Sequence, residues 1–76
     1  MELTKEQKEF LIDSIVEDMA QMLIDDTKCK IADALDIIYN SETYEKLCDF
    51  STGLASQSAA YNYAVLQYEL KNGKVA

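Results

Sequence analysis

Ala59-Ala60-Tyr61-Asn62-Tyr63-Ala64-Val65-Leu66-Gln67-Tyr68-Glu69-Leu70 decides how this chain folds. Wound at about 100° per residue, the segment carries two apolar stripes on opposite sides. Ala59, Tyr63, Leu66 and Leu70 share one side; Tyr61, Val65 and Tyr68 share the other. A single stripe seats a helix on a core. A second stripe needs a cover, either another helix of the same fold or a second chain. The segment belongs to a last helix that starts near Leu54 or Ser56 and runs to Lys71, where Asn72-Gly73 stops it. Lys71 and Lys74 complement its C-terminal dipole.

Upstream of it, Asp49 to Gly53 reads as a loop, with Gly53 supplying a positive φ if the turn needs one. A short helix is expected from Glu42 to Cys48, capped by Ser41, with Tyr44, Leu47 and Cys48 facing inward. Another short helix spans about Lys30 to Tyr39 on the stripe Ile31, Ala34, Leu35 and Ile38. Asp33 and Asp36 favour its positive end, and Asn40 can end it in the left-handed region. Between Asp26 and Lys30 there is neither glycine nor proline, so side-chain caps must make the bend, with Asp26 and Thr27 as candidates.

The first helix opens on the capping box Thr4-Lys5-Glu6-Gln7, with Leu3 as a staple, and runs to about Asp25. Its inward face is Leu11, Ile12, Ile15, Val16, Met19, Met22 and Leu23; Phe10 and Ile24 fall off that stripe. The predicted fold is all-α: one small domain over residues 1–76, of four helices, two long (first and last) and two short. The long pair packs together and the short pair closes one end. The predicted core is Leu11, Ile15, Met19, Met22, Leu35, Ile38, Leu47, Tyr63, Leu66 and Leu70.

Composition narrows the function. The 76 residues hold 14 acids against 7 lysines, with no arginine and no histidine, for a net charge of −7. That charge repels phosphate, which argues against nucleic-acid and anionic-membrane partners. Without histidine the commonest general base and metal ligand is missing, and without arginine so is the bidentate anion clamp. Hydrophobic residues make up 49%, too many for a disordered acidic tail. No apolar run approaches the roughly 18 residues of a membrane span, and no export segment opens the chain. Cys29 and Cys48 are expected to be reduced, buried thiols of a cytoplasmic protein.

Four groups of residues merit a functional reading. Glu9, Asp13, Glu17, Gln21 and Asp25 follow one another at i, i+4 spacing and make an acidic ridge, either a solvated face or a docking face for a basic partner. Asp13-Ser14-Ile15 is similar to the Asp-Ser-Leu motif of small acidic acyl-carrier proteins, whose serine bears a phosphopantetheine arm. There the serine opens a helix, whereas Ser14 is expected in the middle of one. Ser51, Thr52, Ser56, Gln57 and Ser58 lack a base and read as caps; Cys29, between two lysines, has no catalytic partner. Among the tyrosines, Tyr63 is assigned to the core edge, while Tyr61 and Tyr68 need a cover.

Tyr39-Asn40-Ser41-Glu42-Thr43-Tyr44-Glu45-Lys46-Leu47, then Thr52-Gly53-Leu54, then Gln57-Ser58 with Tyr61 and Glu69-Leu70, resembles a set of small bacterial proteins of unassigned function. They share a Ser-Glu-Thr-Tyr…Thr-Gly-Leu centre, and some are encoded beside ADP-ribosyltransferase-like toxins. This chain has Ala55 where a larger aromatic follows the turn in that set. The resemblance implies a small accessory protein, a partner or antagonist of a neighbouring product, and assigns no catalytic residue.

These readings combine into an expected function. The protein is a non-enzymatic protein–protein interaction module without cofactor or metal. Its partner-binding residues are Glu9, Asp13 and Glu17 on the ridge and Tyr61, Val65 and Tyr68 on the second face. The alternatives are a self-associating scaffold, a homodimer or larger homo-oligomer joined by its tyrosine face, and an enzyme or carrier acting through Cys29 or Ser14.

Overall fold

One helix supplies half of the core. The structure, a computed structural model, describes residues 3–73. In it α1 (Lys5–Thr27) contributes Ile12, Ile15, Val16, Met19, Ala20 and Leu23, all buried along one side. Its 23 residues, at about 1.5 Å each, account for most of the 38 Å long axis of the molecule. Against it lie α2 (Ile31–Tyr39) through Ala34 and Ile38, and α4 (Ala59–Asn72) through Tyr63 and Leu66. Helix α3 (Glu42–Cys48) packs on α4 through Leu47, and two 3₁₀ turns, Phe50–Thr52 and Leu54–Ser56, join the two. The all-α architecture of two long and two short helices is the one the periodicity predicts.

Most predicted caps are in place. Gln7 N–H donates to Thr4 Oγ1 at 3.1 Å, and Thr4 N–H donates to Gln7 Oε1 at 2.9 Å. Ser41 Oγ accepts from Tyr44 N–H at 3.1 Å. Gly53 and Gly73 both have positive φ, +79° and +82°, as their turns require. Lys74 lies outside the described residues.

The α1–α2 bend is made differently from the prediction. Helix α1 runs on to Thr27, and Lys28 takes the left-handed conformation at φ 60°. Thr27 does help, donating its hydroxyl to Leu23 O at 2.8 Å. Asp26 is not a cap; it receives a hydrogen bond from α4. A left-handed Cβ-bearing residue costs roughly 1–2 kcal/mol, offset in glycine by a looser unfolded chain. Lys28→Gly is therefore expected to raise stability by about 0.5–1 kcal/mol, read as a higher urea midpoint at unchanged slope.

Five other expectations need correcting. Helix α4 starts at Ala59, not at Leu54 or Ser56, because Gln57 is extended and Ser58 is the cap, accepting from Tyr61 N–H at 3.1 Å. Asn40 has φ −95° and is not left-handed; its side-chain amide instead donates to Asp36 O at 2.8 Å. Leu70 is 52% exposed, because the last turn of α4 is anchored through Glu69, a hundred degrees around the helix. Ile31 is 56% exposed, as the first residue of α2, a turn ahead of where Ala34 meets the core. Cys48 is exposed, because Thr43 and Leu47, spaced i, i+4, set the inward line of α3. Cys29 is half-buried against the core. Leu11, Met22 and Leu35 pack on the core partly buried, and Ala55 of the second 3₁₀ turn is buried with it.

Candidate functional site

Three polar anchors fix how α4 is turned. Tyr63 hydroxyl donates to Asp26 Oδ2 on α1 at 2.6 Å. Burial first, and then this carboxylate, push the Tyr63 phenol up to about 12. The buried Asn62 amide donates to Leu54 O at 2.9 Å and to Ser58 O at 3.0 Å, which ties the 3₁₀ turn to the start of α4. At the other end Glu69 caps α3. Its carboxylate accepts from Glu42 N–H at 2.9 Å, Thr43 N–H at 2.8 Å and the Thr43 hydroxyl at 2.7 Å. Burial opposes ionisation of Glu69, but these hydrogen bonds outweigh it and hold its carboxyl below the usual glutamate range.

With Asn62, Tyr63, Leu66 and Glu69 directed inward, the opposite side of α4 faces out. Tyr61 and Tyr68 remain 51% and 49% exposed, so no helix among the described residues covers them fully. They form one wall of an open groove of about 520 Å³, together with Ala64 and half-buried Val65. The other wall is Leu54, Thr52 and the side chain of Lys46. The structure thus brings the predicted Tyr61, Val65 and Tyr68 into one concave surface. Lys46, Thr52 and Leu54 join them only through the packing of α3 and the 3₁₀ turns on α4, which no local pattern signals. Ala64 was open to view, lying three residues from Tyr61 and four from Tyr68.

Chemically the groove is suited to contact rather than reaction. The Thr52 hydroxyl is engaged with Lys46 O at 2.6 Å and Asp49 O at 2.9 Å. That leaves three polar side-chain groups of the lining without a hydrogen bond among the described residues: the Lys46 ammonium and the Tyr61 and Tyr68 hydroxyls. Beyond Lys46 and Thr52 the groove continues into a shallow ledge bearing Glu42, Glu45 and Asp49.

The acidic ridge occupies a different surface. Glu9, Asp13 and Glu17 are exposed on α1, as are Gln21 and Asp25, which share a 3.1 Å hydrogen bond. Phe10, 75% exposed, stands on the same side. No ridge residue lines the groove. Ser14 lies half-buried in the middle of α1. Among the described residues no cluster of three or more metal-ligating side chains occurs, and no helix is long and apolar enough to cross a membrane. Comparisons with protein-family models, with curated proteins and with solved structures return no match.

Proposed function

We propose that this chain is a non-enzymatic interaction module, cytoplasmic, that binds a protein partner through the groove lined by Tyr61, Val65 and Tyr68. The observation that carries this reading is a pair of half-exposed tyrosines flanking an apolar slot that the chain's own helices leave open. Tyrosine gives large contact area at low entropy cost and is enriched at binding hot spots. Glu9, Asp13 and Glu17 add an acidic face that steers a basic partner towards the domain. The resemblance of the Ser41–Tyr44 and Thr52–Leu54 segments to small bacterial proteins, some of them encoded beside toxins, supports the same role, that of a partner or antagonist of a neighbouring product.

The test places a photo-crosslinking residue at Val65 in the native host and identifies the adduct by mass. A heterologous protein is expected there. Its affinity for the purified domain should fall by about tenfold or more in a Tyr61→Ala/Tyr68→Ala variant, while the melting curve stays close to the parent's. Charge reversal at Glu9, Asp13 and Glu17 should slow association and flatten its salt dependence. An adduct absent under all conditions, or an affinity indifferent to both tyrosines, refutes the reading.

A further inference from the structure

We propose that the occupant of the tyrosine groove is a basic amphipathic α-helix from another protein; this deepens the interaction-module reading and rests on it. Three observations specify the occupant. Tyr61, Ala64, Val65 and Tyr68 are spaced i, i+3, i+4, i+7, the seam by which one helix packs along another. Ala64, between the two rings, lets a second backbone approach closely. The seam covers two turns, about 10 Å, enough for the three or four apolar anchors of a helix laid in a groove.

Charge decides the sign of the partner. The groove opens onto Glu45 and Asp49, with Lys46 beside them. The chain as a whole carries −7. A second copy of this chain would bring the same acidic ledge against itself, and like charges set face to face oppose docking. A helix with apolar residues on one stripe and lysines on its flanks meets both the slot and the ledge. The same sign opposes an anionic membrane surface, whose headgroups repel the chain.

The probe is a synthetic helical peptide of about 15 residues, with leucines on an i, i+3, i+4, i+7 stripe and lysines elsewhere. Two controls keep its length: one scrambles the stripe, the other replaces lysine with glutamate. Binding to the whole domain is read by fluorescence anisotropy and by amide shifts at Ala64 and Val65. The striped basic peptide is expected to bind and both controls to bind at least about tenfold more weakly. Tyr61→Ala/Tyr68→Ala should lower its affinity by a similar factor, and Glu45→Lys/Asp49→Lys should remove most of the salt dependence. Equal binding of the scrambled peptide would reduce the effect to bulk charge and overturn the proposal. So would equal binding of the glutamate peptide, or a domain that dimerises through Val65 in sedimentation. A crosslinked partner at Val65 that presents no basic helix overturns this proposal alone and leaves the interaction-module reading standing.

Discussion

Leu66→Ala is expected to leave the domain largely unfolded in buffer. Leu66 is completely buried and is the central apolar side chain by which α4 meets the shared core. Truncating a leucine at such a site removes its transfer free energy and leaves a cavity, for about 2–5 kcal/mol. A single core of this size rarely yields more than about 3–5 kcal/mol of net stability, so the loss is comparable with the whole. Far-UV circular dichroism and urea unfolding of the parent and variant give the answer. The companion variant is Leu70→Ala, one turn on and 52% exposed; its effect should stay within about 0.5 kcal/mol. Both leucines lie on the same predicted stripe, so the contrast tests where α4 leaves the core. A folded Leu66→Ala protein beside a damaged Leu70→Ala protein would mean that the helix is seated the other way.

Periodicity revealed which helices form and which faces they bury, since spacing alone places Ile15, Met19, Leu47, Tyr63 and Leu66 on inward stripes, and all five are buried. Local caps were equally legible, because Thr4 and Ser41 accept from amides three residues on and the Gly73 N–H donates to a carbonyl four residues back. What spacing cannot convey is how far along a helix its neighbours extend. Leu70 and Ile31 continue correct stripes past the point where a partner helix is present. Nor does it convey tertiary polar contacts: Asp26 reads as a local cap but meets Tyr63, thirty-seven residues away. The groove was half legible. Two apolar sides on one helix announce an uncovered face, but Lys46 and Leu54 reach it through the whole fold.

The same limit hides Glu69, whose role governs how the domain responds to acid. It has no helical partner within its own turn to mark it; its three donors come from Glu42 and Thr43, at the start of α3. A carboxylate there satisfies amides that a seven-residue helix leaves without intrahelical acceptors, and it meets the positive end of the dipole. Glu69→Gln keeps the shape but turns a donor toward donors. Hydrogen bonds to charged groups contribute about 1.5–3 kcal/mol each when well buried. Glu69 is only half-buried and water can replace part of the set, so the total is expected near 1–3 kcal/mol. The sign with pH follows from the direction of the shift. The folded carboxyl sits below its unfolded value, so the stabilisation is complete above the ordinary glutamate range, about 4.3. It drains away as pH falls through the folded value, where the native state also takes up the proton. Urea titrations of parent and Glu69→Gln proteins across that window should show a gap that is constant near neutrality and closes in acid. Two curves that stay parallel into acid would show that the carboxylate contributes nothing through its charge, and that α3 is held by Leu47 and Ser41 alone.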